Sequence, residues 1–208
     1  MNIAIIGSGN VGGALAKRLA EVGHNIYLGV RDLSNFKGKE LINNISITAT
    51  AINKAVKEAE VIIISVPSGA MVDIASKLGD VSGKIIIDTS NTVMSKPEGF
   101  GNGFEVLVKL TNCKDIVKGF NTTGAENMLD PNFNGIKLDM FTAGDSQKGK
   151  EMVKKLSQQI GFGQVYDFGG NDKVSLIEEF AKSWINLAIM QKYGRDIGFK
   201  ILLRNKPL

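Results

Sequence analysis

The feature that most constrains this chain is the run Gly7-Ser8-Gly9-Asn10-Val11-Gly12, which directly follows a short apolar segment and directly precedes an amphipathic one. Residues 2–6, with the apolar run Ile3 to Ile6, read as a strand, while residues 11–22 repeat apolar side chains at helical spacing. Three glycines spaced in this way between a strand and a helix serve different ends. Gly7 permits the tight turn, Gly9 lets another group approach the backbone, and Gly12 lets helix and strand pack closely. The helix then opens with unpaired N–H groups and the positive end of its dipole, which together suit a pyrophosphate. The run predicts a dinucleotide site, with Ser8, Asn10 and Val11 joining the three glycines around the phosphates.

The rest of the chain repeats the strand–helix alternation. Strands are expected over residues 25–29, 45–49, 61–66, 84–88 and 115–119, with helices over 51–59, 70–78 and 104–111. The segments Val61-Ile62-Ile63-Ile64 and Ile85-Ile86-Ile87 are apolar on both faces, as strands of a parallel sheet covered by helices must be. The expected fold class is therefore α/β: a Rossmann-type doubly wound, mainly parallel sheet with a small helical C-terminal part. Residues 1–144 would form the nucleotide-binding domain. Residues 145–208 would pack on it, with a strand over 139–143 leading into a helix over 147–160, a strand over 164–167 and a last helix over 172–193. The glycine-rich stretch from Pro97 to Gly103 reads as a loop.

Composition removes several classes of function. A chain of 208 residues has no room for a second large catalytic domain. A single cysteine, Cys113, and a single histidine, His24, leave nothing from which to build an internal disulfide or a multi-cysteine metal site, so no metal is expected. The net charge of +4 is spread along the chain and is not gathered into a basic run with interleaved aromatics, which argues against nucleic acid as a partner. Neither a signal peptide nor a membrane span is evident, and a cytoplasmic location is expected.

The end of the second strand decides which dinucleotide is taken. An acidic residue there would hold ribose hydroxyls, whereas an arginine suits a 2′-phosphate. Here the first polar side chain is Arg31, with Lys37 and Lys39 shortly after it, which favours NADP. Asp32 keeps NAD open. Two other strand ends, Val66-Pro67 and Ser90-Asn91, fall where the ribose and nicotinamide would lie. Beyond the sixth strand, Asn121-Thr122-Thr123-Gly124 is small and polar at the mouth of the same crevice and could meet a second ligand. The segment could equally begin a helix near Thr123 with Glu126 at capping-box distance. Apart from Asp88, no acid–base pair is evident near these strand ends, and no catalytic side chain is assigned. Ring-to-ring hydride transfer, which needs chiefly close stacking, fits better than reduction of a ketone or imine, which needs a placed proton donor.

With those residues in view, the chain resembles the F420-dependent NADP oxidoreductases and their bacterial NADP-binding relatives. The resemblance runs nearly end to end. It is carried by the glycine run, Gly29-Val30-Arg31, Val66-Pro67, the stretch from Val117 to Asn127, Phe141-Thr142-Ala143-Gly144-Asp145, and the tail from Trp184 to Phe199. It implies NADP as cofactor, with Ser8, Gly9, Asn10, Val11, Arg31 and Pro67 in contact with it. Asn121 to Gly124 would face the ring of coenzyme F420, with FMN as an alternative acceptor. Val30 stands where the archaeal deazaflavin enzymes tend to carry a hydroxyl residue. Asn121-Thr122-Thr123-Gly124 stands where they carry His-Thr-Ile-Pro-like residues. The N-terminal region is also similar to pyrroline-5-carboxylate reductases, which need a longer helical domain, and to the cytosolic domain of the STEAP metalloreductases, which keeps flavin or ferric reduction open. A non-enzymatic NADP sensor is a further alternative. The apolar last helix suggests a homodimer.

Overall fold

The computed structural model describes residues 1–204; residues 205–208, the end of the expected C-terminal part, lie outside the described residues. Its frame is a parallel sheet of β1 (Asn2–Ile6), β2 (Asn25–Val30), β3 (Ile47–Ala51), β4 (Val61–Ile64), β5 (Ile85–Asp88) and β6 (Asp115–Lys118). The spatial order is β3-β2-β1-β4-β5-β6, so the winding reverses between β1 and β4. The doubly wound α/β fold expected from the sequence is borne out, since alternate residues of each strand feed two separate cores. Ile3 and Ile5 face one, Ala4 and Ile6 the other.

The first core is closed by Leu15 and Leu19 of α1 (Asn10–Glu21) and by Val153 and Leu156 of α6 (Gln147–Gln159). The second is closed by α2 (Ile52–Glu58), α3 (Met71–Leu78), α4 (Gly103–Leu110) and α7 (Val174–Ile185), through Val56, Ile74, Leu107 and Ile177. Each fully buried aliphatic side chain contributes about 2 kcal/mol of transfer free energy, which is why β4 can consist of nothing else.

Beyond β6 the chain makes the short helix α5 (Ala125–Leu129) and a hairpin of β7 (Asn132–Phe133) and β8 (Ile136–Lys137), turned by Asn134 and Gly135, both at positive φ. β9 (Met140–Thr142) then pairs in parallel with β10 (Val165–Asp167). This small sheet joins the large one at one point, where the Lys118 N–H donates to the Ala143 carbonyl at 2.8 Å and the Ala143 N–H donates back at 3.2 Å.

The expected elements are displaced by a residue or two at several ends, β4 for example stopping at Ile64 and not at residue 66, and two differences have a clear local cause. β3 begins at Ile47 and not at residue 45, because Asn44 closes a turn first: its side-chain oxygen accepts from the Ser46 N–H at 2.9 Å and its carbonyl from the Ile47 N–H at 2.9 Å, leaving Ile45 fully exposed. The last helix does not run from 172 to 193. A single 3₁₀ turn, Asn171–Lys173, precedes α7, which gives way after Ile185 to a π turn over Asn186–Met190. The Gln191 N–H reaches the Asn186 carbonyl at 2.8 Å, and Lys192 at φ 61° with Gly194 at φ 89° turns the chain back across the molecule.

Candidate functional site

The carboxyl end of the sheet opens at the reversal between β1 and β4, where doubly wound sheets hold their ligands. A cavity of about 730 Å³ there is lined by Gly7, Ser8, Gly9, Arg31, Val66 and Pro67 among others. Its floor is set by sterics. A Cβ on Gly7, which lies at φ +100°, would stand 2.4 Å from the Ser65 carbonyl oxygen, and one on Gly12 would stand 2.0 Å from the Gly7 carbonyl oxygen. Neither position can hold a side chain while α1 stays against the sheet. A Cβ on Gly9 would meet nothing within 4 Å, so the first turn of α1 faces open space.

That first turn carries neither a side-chain cap nor an acidic residue. Helix N-termini ordinarily gain one or the other, and the unpaired donors with the positive end of the dipole make an anion site. Lys37 adds charge by donating from Nζ to Asn10 Oδ1 at 2.6 Å. Asn10, with Ser8 and Gly9, also borders an adjoining cavity of about 360 Å³; Val11 is half-buried and Gly12 buried behind them.

Arg31 sits exposed on the rim of the larger cavity, and among the described residues its guanidinium has no hydrogen-bond or ion-pair partner. Asp32 borders the same space, but its carboxylate is turned to Ser34. It accepts from the Ser34 N–H at 2.8 Å and the Ser34 hydroxyl at 2.6 Å, and these two bonds hold its pKa below the ordinary aspartate value. Lys39 Nζ donates to the Ser34 carbonyl, closing the turn.

The remaining predicted residues do not border this cavity. Ser90 is buried and Asn91 half-buried just past β5, and Asn121 to Gly124 lie past β6. Asn121 is 7% exposed, yet neither atom of its amide has a partner among the described residues, and the Ser68 and Ser90 hydroxyls are unpaired in the same way. Phe120, just before Asn121, is held at φ 54°, a costly conformation for a bulky residue. Gly124 caps α5 by backbone alone, with no capping box; Glu126 instead accepts from Arg195 Nε at 2.6 Å, which keeps its pKa below the usual glutamate value. Gly124 also lies against Trp184, whose Nε1 donates to the Ile197 carbonyl at 2.7 Å. The same carbonyl accepts from Asn127 Nδ2 at 2.6 Å, so the C-terminal segment is strapped beside Asn121–Gly124.

The expectation that the strand ends hold no acid–base grouping beyond Asp88 needs correction. Lys118 is wholly buried at the end of β6, with its Nζ 2.8 Å from Asp88 Oδ2 and 2.6 Å from Glu178 Oε1. Half of this was legible, since Asp88 and Lys118 close adjacent strands and are paired in register. Glu178 comes from α7, and no local pattern announced it. Among the described residues no cluster of three or more His, Cys, Asp or Glu side chains is placed to hold a metal ion, and no helix is long and apolar enough to cross a membrane.

Comparison with known proteins agrees with this geometry. Residues 2–92 match the family model described as NADP oxidoreductase, coenzyme F420-dependent. The chain is 27% identical to the F420-dependent NADP reductase of Methanocaldococcus jannaschii, over 97% of this chain and 98% of that one. Among solved structures it is similar to a putative F420-dependent NADP reductase of Arthrobacter sp. FB24, with 22% identity, a TM-score of 0.84, and 98% and 100% of the two chains covered. It shares its fold with an imine reductase of Streptomyces aurantiacus, with 16% identity and a TM-score of 0.70, over 93% of this chain and 64% of that one. The resemblance read from the sequence is borne out.

Proposed function

Taking that family resemblance as the premise, we propose that this chain binds NADP across the carboxyl ends of β1, β2 and β4 and serves hydride transfer to the ring of coenzyme F420. Gly7, Ser8, Gly9, Asn10, Val11 and Gly12 surround the pyrophosphate, and Arg31 takes the 2′-phosphate. Val66, Pro67, Ser90 and Asn91 border the nicotinamide half, and Asn121 to Gly124 meet the acceptor. Residues 1–144 supply the nucleotide site, and the segment after 144 closes the crevice beside it. When bound, the nicotinamide supplies a hydride from C4 to the deazaflavin ring, which also takes a proton from water, so NADPH, oxidised ring and proton become NADP⁺ and reduced ring.

The observation that carries this reading is the uncapped first turn of α1 facing open space at Gly9, with an uncommitted guanidinium on the rim of the same cavity. The fit is steric as well as electrostatic. Glycines are required where the backbone folds on itself, at Gly7 and Gly12, whereas a Cβ on Gly9 would meet nothing within 4 Å, which leaves room there for a diphosphate. The turned-away Asp32 carboxylate favours NADP over NAD, because its acceptor atoms are engaged by Ser34. The Asn121 amide, buried with neither atom paired among the described residues, lies in the segment that would meet the acceptor.

The chain's own contribution to the rate is then positioning and exclusion of water. The test is rapid mixing of the purified protein with NADPH and coenzyme F420, following ring absorbance and NADPH fluorescence, with FMN in a parallel arm. Stoichiometric loss of oxidised F420 is expected. NADPH binding without reduction of either ring would overturn the enzymatic reading and leave a nucleotide-binding protein.

A further inference from the structure

We infer that the buried Asp88–Lys118–Glu178 group is a positioning device that carries charge: it fixes the 89–92 segment beside the nicotinamide half of the cleft and biases the site toward the cationic, oxidised ring. This rests on the nucleotide reading above.

Every carboxylate oxygen in the group is engaged. Asp88 Oδ2 and Glu178 Oε1 take Lys118 Nζ, as described, and the other two oxygens hold the loop that follows β5. Asp88 Oδ1 accepts from the Ser90 N–H at 2.8 Å. Glu178 Oε2 accepts from Thr92, from the N–H at 3.2 Å and the hydroxyl at 3.0 Å. The loop carrying Ser90 and Asn91 is thus gripped at two points by two acids that share one lysine. α7 is tied to the sheet end through the same atoms.

Stability alone is a poor reason for this arrangement. Lys118 and Asp88 are fully buried and Glu178 is 3% exposed, and burying three charges costs so much solvation that apolar replacements of like volume are often neutral or better. Two carboxylates against one ammonium leave one negative charge uncompensated. It lies at the carboxyl ends of β5 and β6, the side on which an open α/β sheet holds its ligand, in a medium where charges act strongly at short range. The reduced and oxidised nicotinamide rings differ by one positive charge. A fixed negative charge on that side of the sheet would therefore favour the oxidised form over the reduced one without touching either.

The experiment measures Kd for NADP⁺ and for NADPH by titration calorimetry on the full chain, for wild type, Glu178→Gln, Asp88→Asn and the control Glu179→Gln. Glu179 carries the same charge next door but is exposed and paired with Lys182, so its loss should leave the ratio of the two constants unchanged. In Glu178→Gln and in Asp88→Asn the ratio Kd(NADP⁺)/Kd(NADPH) is expected to rise on the order of tenfold. Equal weakening of both nucleotides, or an unchanged ratio, overturns the inference. If one variant does not fold, the other is read; if neither folds, the group belongs to the scaffold and the inference is equally overturned. Binding of neither nucleotide to the wild type would instead mark the failure of the nucleotide reading. Nucleotide binding without F420 reduction leaves this ratio test intact.

Discussion

Replacing Arg31 with alanine tests the nucleotide assignment most directly. The guanidinium lies on the rim of the larger cavity and has no partner to give up, so a phosphate contact there is a net gain. Lys37 and Lys39 are each held in a hydrogen bond, to Asn10 and to the Ser34 carbonyl, and cannot fully replace it. A charge-assisted bidentate contact in a partly solvated position is worth about 2 kcal/mol, or roughly thirtyfold in Kd. Arg31→Ala should therefore weaken NADPH by about thirtyfold and NADH by less than about twofold, because NADH lacks the phosphate that the arginine meets. Calorimetric titration with both nucleotides reads the two numbers independently of any acceptor. Equal losses would refute the reasoning, since they would mean that Arg31 supports the loop or the adenine and not the phosphate.

Gly12→Ala places a methyl group 2.0 Å from the Gly7 carbonyl oxygen and must push α1 off β1. Overpacking of that kind costs at least about 3 kcal/mol, seen as a drop of roughly 6–12 °C in Tm together with loss of both nucleotides. Gly124→Ala puts a methyl group 2.6 Å from the Trp184 ring. Acceptor reduction should fall while NADPH affinity stays within about twofold, at a stability cost of about 1–3 kcal/mol read by chemical denaturation. His24 is buried with Nε2 3.0 Å from Gln159 Oε1 and Nδ1 3.5 Å from the N-terminal ammonium. Burial is the largest influence and the N-terminal charge acts in the same direction, pushing its pKa below the ordinary value against the Gln159 bond. Since the unfolded chain protonates first, the stability held by neutral His24 is whole above about pH 6.5 and is lost as pH falls through the lowered folded value. His24→Gln should flatten the acid side of the stability curve in urea melts from pH 7.5 to 5, and an unchanged slope would contradict this account.

The N-terminal half was the more legible because its signals are local. The glycine run follows directly on β1 and Arg31 directly on β2, so each could be read from its own short stretch of sequence. Val61 to Ile64 and Ile85 to Ile87 announced buried strands for the same reason. β3 starts two residues later than its pattern suggests because the Asn44 side chain competes with the sheet for backbone donors, which hydrophobic patterning cannot register. The last helix ends before its apolar pattern does because a π turn at Asn186–Met190 keeps helical apolar spacing while changing the hydrogen bonding. Glu178 was invisible since it is a surface-type residue in an amphipathic stretch. Only the tertiary fold, which brings α7 to the end of β6, gives it Lys118 as a partner.

The mutual contact of Gly7 and Gly12 also bears on redesign. With those backbones interlocked, a diphosphate bound there would meet a rigid turn, and an exchange of coenzyme preference is better sought in the solvent-facing ribbon that begins at Arg31. In that ribbon Phe36 and Leu41 pack against the first core, while Arg31, Asp32 and Lys37 are exposed and can be rewritten at little cost to folding. Selectivity and scaffold are thus separable engineering targets in this molecule.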